Sequence, residues 1–81
     1  MTTIQMPKEI TVLEAFDSQK TRLFIYRYSD DPTKHYVDCG HDRTGGKTYY
    51  ELPRAAKSLR GAKHLAALLT GEKLTWSEPC D

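Results

Sequence analysis

Thr21-Arg22-Leu23-Phe24-Ile25-Tyr26-Arg27-Tyr28 is the strongest strand signal in the chain. Its aromatic and branched side chains suit a pleated, half-buried surface. Side chains along a strand alternate sides, so Leu23 and Ile25 point one way and Phe24, Tyr26 and Tyr28 the other. One side is apolar and the other carries rings with polar tips. The fold therefore turns on which side is covered and what happens to the remaining one.

Working outward, Ile10-Thr11-Val12-Leu13-Glu14-Ala15-Phe16 reads as a preceding strand, and Asp17-Ser18-Gln19-Lys20 supplies the turn between the two. On the other side, Ser29-Asp30-Asp31-Pro32-Thr33 reads as a loop, because Pro32 has no N–H for a ladder and biases Asp31 away from helix. His35-Tyr36-Val37-Asp38-Cys39 is a third strand. A hairpin loop over 42–46, with Gly45-Gly46 able to adopt positive φ, leads to a fourth strand, Lys47-Thr48-Tyr49-Tyr50-Glu51-Leu52, stopped by Pro53.

The period then changes. Leu59, Ala62, Leu65, Ala66 and Leu69 recur at steps of three and four, the spacing of an amphipathic helix. Two starts fit: Pro53 at the first helical position, or Ser58 as N-cap, with Gly61 favouring an interruption near 58–61. Gly71 suits the residue after the helix end, and Lys73-Leu74-Thr75-Trp76-Ser77 reads as a short last strand. The expected fold is α+β, in the order β-β-β-β-α-β: a four-to-five-stranded antiparallel sheet with one helix on one face. Residues 1–8 are expected to be a flexible N-terminal segment, 9–78 the single domain, and 79–81 a tail.

One helix covers one face. The covered side is expected to hold Leu23, Ile25, Val37, Tyr50 and Leu52 against Leu59, Ala62, Leu65, Ala66 and Leu69. That leaves Phe24, Tyr26, Tyr28, Tyr36 and Tyr49 on the open side. Cross-strand aromatic pairs stabilise sheets on their own account, yet tyrosine is also enriched at interface hot spots. Tyr26, Tyr28, Tyr36 and Tyr49 are accordingly candidate partner-binding residues. A second candidate surface is basic. Lys57, Arg60 and His64 fall on the helix side away from Leu59 and Ala62, joined by Arg54 if the helix begins at Pro53, and suit phosphates or an acidic protein.

Composition narrows the function. The 81 residues are 38% hydrophobic and 28% charged, which suits one small globular domain whose core leaves little room for a deep pocket. No apolar run approaches the ~20 residues of a membrane span, and the first residues lack signal-peptide character, so a cytoplasmic chain is expected. Twelve basic against eleven acidic residues give a net charge of +1, which argues against a dedicated DNA binder. The distribution is dipolar: six basic residues from Arg43 to Lys63 face Glu51 alone, while the rest of the chain holds six basic and ten acidic residues.

The tightest polar cluster is His35, Asp38, Cys39, His41 and Asp42. Paired zinc-ligand spacings are missing, and same-face neighbours on a strand stand about 6.5 Å apart, too far for a nucleophile and its base. Cys39 and Cys80 do not make a disulfide framework; a buried thiol is the better reading of Cys39. No phosphate-cradling glycine loop is present. No catalytic residues, metal or cofactor are expected.

Two functions follow. The first is a non-enzymatic protein-binding module, such as an inhibitor that occludes a surface of a larger protein or protein–nucleic-acid complex, acting as monomer or homodimer. In size and character the chain is similar to small phage-encoded inhibitors of host defence of the anti-CRISPR type, without a shared motif. The second is direct nucleic-acid binding, through the basic helix face or through the aromatic sheet face, on which single-stranded RNA can stack. Over residues 21–69, with Ser58-Leu59-Arg60-Gly61-Ala62-Lys63 opening the helix, the chain resembles the three-strand-and-helix plan of integrase arm-binding domains. It departs from that plan in placing a strand after the helix. The resemblance implies strands that read a DNA groove.

Overall fold

The structure, a computed structural model, describes residues 7–40, 49 and 51–79. Four strands, β1 (Glu9–Phe16), β2 (Arg22–Tyr28), β3 (Asp31–Cys39) and β4 (Arg54–Ala56), form one antiparallel sheet in the order β1-β2-β3-β4, followed by the helix α1 (Leu59–Thr70). The α+β class and the single covering helix are as expected. Among the described residues, no helix is long and apolar enough to cross a membrane.

The turn between β1 and β2 is built on Asp17. Its Oδ1 accepts from the Gln19 amide at 2.9 Å and the Thr21 amide at 2.8 Å, while Lys20 takes a positive φ of 65°. The carboxylate thus replaces backbone partners that the tight turn removes. At the far end of the pair, the Ser29 amide donates to the Lys8 carbonyl at 2.9 Å and Lys8 N–H to Ser29 Oγ at 3.0 Å.

Two strands differ from the sequence reading. β3 begins at Asp31 rather than His35, with Pro32 inside it. The register explains how: Tyr26 stands opposite Tyr36 but Tyr28 stands opposite Asp31, so several β3 residues bulge past one on β2. A bulged residue owes no ladder bond, which is where a strand accommodates proline. Among the described residues the fourth strand lies after Pro53, and Tyr49, Glu51 and Leu52 before it are not in a strand. Arg54, Ala55 and Ala56 pair with Val37, Tyr36 and His35. Tyr49 and Leu52 instead close a turn, Leu52 N–H donating to Tyr49 O at 3.2 Å; Lys47, Thr48 and Tyr50 lie outside the described residues. Arginine and alanine have little strand preference, so tertiary pairing with β3 sets this short edge strand.

The helix takes the later of its two starts. Ser58 is the N-cap, with φ −156° and ψ 164°, and its Oγ accepts from Gly61 N–H at 3.0 Å. A Cβ on Gly61 would meet Ser58 Oγ at 3.2 Å, so the missing side chain lets the cap close. Gly71 ends the helix at φ 68° and donates to Ala67 O at 2.9 Å, a left-handed cap suited to glycine. The expected fifth strand is reduced to one bridge, in which Ser77 and Glu14 exchange two backbone bonds of 2.9 Å on the outer edge of β1.

α1 packs over β2, β3 and β4 through Ala62 and Ala66, both fully buried. They meet Leu23, Ile25, Val37, Cys39 and Tyr49, with Leu52, Ala56, Leu59, Leu65, Leu69, Leu74 and Trp76 around them. Each wholly buried aliphatic side chain contributes about 1.5–3 kcal/mol, and the alanines let the helix sit close. Leu23, Ile25 and Val37 therefore face the helix, and the even-numbered residues of β2 face the other way.

Candidate docking face

The sheet side turned from the helix is assembled by register. On β2 it carries Arg22, Phe24, Tyr26 and Tyr28; β1 brings Phe16, Glu14, Thr11 and Glu9 opposite them, and β3 brings Asp38 beside Phe24 and Tyr36 beside Tyr26. A bulge at Val12 decides the β1 contribution, because the register shifts between Thr11 and Leu13. Strict alternation would put Glu9 and Glu14 on opposite faces; the bulge places both on this one.

Four rings make a continuous cluster. Tyr26 stacks on Tyr36 with centroids 5.2 Å apart and planes at 13°, and Tyr28 meets Tyr26 and Tyr36 edge-on at 5.9 and 5.5 Å. Phe24 lies 5.9 Å from Tyr26. Stacked and edge-to-face contacts at these distances suit the ring quadrupoles and hold the rings rigid. Tyr26 is the hub and only 8% exposed, whereas Phe24, Tyr28 and Tyr36 are half-buried and Phe16 is 57% exposed. Burial, with Tyr28, Asp38 and Glu9 nearby, pushes the Tyr26 hydroxyl up to about 12, so it stays neutral.

Charge is interleaved with the rings. Arg22 lies with Cζ 4.7 Å from the Phe24 centroid while its Nε donates to Glu14 Oε2 at 2.8 Å; Lys34 Nζ lies 5.5 Å from the Tyr36 centroid. The face thus holds Glu9, Glu14, Asp31 and Asp38 against Arg22 and Lys34. It is mixed in sign, unlike the basic groove that tracks a nucleic-acid backbone.

The remaining candidates fall elsewhere. Tyr49 is corrected: it is 5% exposed, lies in the core on the helix side, and donates its hydroxyl to Asp17 Oδ2 at 2.7 Å. Burial and the Asp17 carboxylate push that hydroxyl far up. With pairing moved beyond Pro53, strand alternation no longer governs Tyr49, and a buried phenol needs a partner for its tip. With the helix starting after Ser58, Arg54 does not join the helix face and sits on β4. Arg54 on β4, Lys57 between β4 and α1, and Arg60 and His64 on α1 are all exposed. Lys57 also borders an open groove of about 510 Å³ with Asp31, Thr33, Lys34, Ala55 and Ala56. Arg22, Glu14 and Phe24 were missed as site residues. The Arg22–Phe24 alternation signals one contact, but Glu14 joins only through the bulge.

The polar cluster of β3 is divided between faces. His35 and Cys39 are buried on the core side, with His35 Nδ1 3.2 Å from Thr33 O, whereas Asp38 is on the open side with Oδ1 accepting from Cys39 N–H at 2.8 Å. No three metal-binding side chains come together among the described residues; His41, Asp42 and Cys80 lie outside them. Comparison with protein-family models, curated proteins and solved structures finds no match to this chain.

Proposed function

We propose that the domain is a non-enzymatic protein-binding module that docks on a larger partner through the face formed by Phe24, Tyr26, Tyr28 and Tyr36. The observation that carries this reading is the ring cluster on the side of the sheet that α1 leaves uncovered. Rigid tyrosines give a partner large contact area at little cost in side-chain entropy, and the interleaved charges fix orientation. Occlusion of a partner surface in the cytoplasm, in the manner of small phage-encoded inhibitors, is the form this activity takes in our reading.

A second reading rests on the exposed Arg54, Lys57, Arg60 and His64, which suit phosphate contacts. The two are separated by comparing three immobilised baits against the lysate of the encoding organism: the native chain, Tyr28→Ser with Tyr36→Ser, and Arg60→Glu with His64→Glu. The expected result is one prey that the native and helix baits retain and the tyrosine bait loses by about tenfold or more, a typical hot-spot effect. Loss by the helix bait alone, together with a nucleic-acid shift that falls steeply with salt, would transfer the function to the basic side.

A further inference from the structure

The open face repeats one arrangement twice. Phe24 stands in register between two carboxylates, Glu14 on β1 and Asp38 on β3. Tyr28 stands in register between two others, Glu9 on β1 and Asp31 on β3. At the first position a guanidinium completes the set, Arg22 lying over the Phe24 ring and bonded to Glu14. At the second, among the described residues, no cation lies over the Tyr28 ring and Glu9 makes no ion pair. Arg27, next in sequence, shares the helix side with Ile10 and donates through Nη1 to the Tyr28 carbonyl at 3.4 Å.

We infer that Glu9, Tyr28 and Asp31 form an acceptor for an arginine side chain of a protein partner. This rests on the docking reading above and adds the chemistry of the residue that docks. A planar guanidinium stacks on a ring and bonds a carboxylate at the same time, as Arg22 does within the chain, whereas an ammonium offers a point charge. Asp31 Oδ1 accepts from the Thr33 amide and hydroxyl and the Lys34 amide, at 2.7–3.3 Å, so the carboxylate is held in place with its negative charge. Glu9 is exposed and supplies the arm. Paired carboxylates also repel phosphate, so this corner selects a basic protein segment over a nucleic acid. Lys34, whose ammonium lies over the adjoining Tyr36, sets the limit of the acceptor on that side.

The test is a two-dimensional NMR titration of the full chain with N-acetylarginine methylamide, and with the lysine and leucine analogues. Arginine is expected to move the Tyr28 ring and Glu9 amide signals and to bind at least about twofold tighter than lysine. Glu9→Gln should weaken arginine about threefold and leave leucine unchanged. Equal binding of all three, no movement at Tyr28, or an indifferent Glu9→Gln would overturn the inference. Leucine binding best at the same signals would also overturn it while leaving the docking face intact, since that face is judged separately by prey loss from the tyrosine bait.

Discussion

Two tyrosine hydroxyls are kept neutral chiefly by burial, each with different neighbours. Tyr26 lies under its neighbouring rings near Asp38 and Glu9, and Tyr49 lies in the core bonded to Asp17. Both are raised above the ordinary value of 10.0, so each favours the folded state below that pH. Their contribution is fully present up to pH 10.0 and is lost as pH rises toward about 12, the Tyr26 value. Denaturant midpoints should stay level up to pH 10.0 and fall across that interval, and Tyr26→Phe should flatten the fall. At lower pH, Tyr49→Phe leaves the Asp17 carboxylate without its phenol and should destabilise by about 1–3 kcal/mol in chemical denaturation. An unchanged midpoint would mean that Asp17 needs only its turn amides. The role of Tyr49 was not legible in the sequence. Its position looks like strand alternation, and only the distant Asp17 reveals a core residue with an anchored tip. Tyr26, Tyr28 and Tyr36 were legible, because β2 and the second half of β3 keep strict alternation.

The elements were read best where local rules act alone. The α1 stripe, the Ser58 cap and the Gly71 end each follow from side chains within one turn, and all three are present. Where a partner strand decides, the sequence is silent. The Val12 and β3 bulges and the placement of β4 after Pro53 depend on pairing across the sheet, which no local window contains. The cap offers a quantitative check. Ser58→Ala should cost about 1 kcal/mol in thermal or chemical unfolding. Gly61→Ala alone should gain little, since the roughly 1 kcal/mol of helix preference is offset by a Cβ 3.2 Å from Ser58 Oγ. In the Ser58→Ala background the same change should stabilise. Additive effects in this double-mutant cycle would show that the cap and the glycine are independent.

At the scale of the whole molecule, one twelve-residue helix and a four-stranded sheet have unequal reach. The helix seals the side of Leu23, Ile25 and Val37, and the opposite side is finished with aromatic rings and paired charges instead of a second layer. The basic residues of β4 and α1 belong to the other side, so the two surfaces differ in chemistry as well as position. The most direct measurement places a photo-crosslinking amino acid at Tyr28 in one chain and at His64 in another, and compares the covalent adducts formed with the same captured partner. The expected result is an adduct from position 28 that competes away with unlabelled native chain, and none from position 64. An adduct from position 64 with none from position 28 would contradict docking through the tyrosine face.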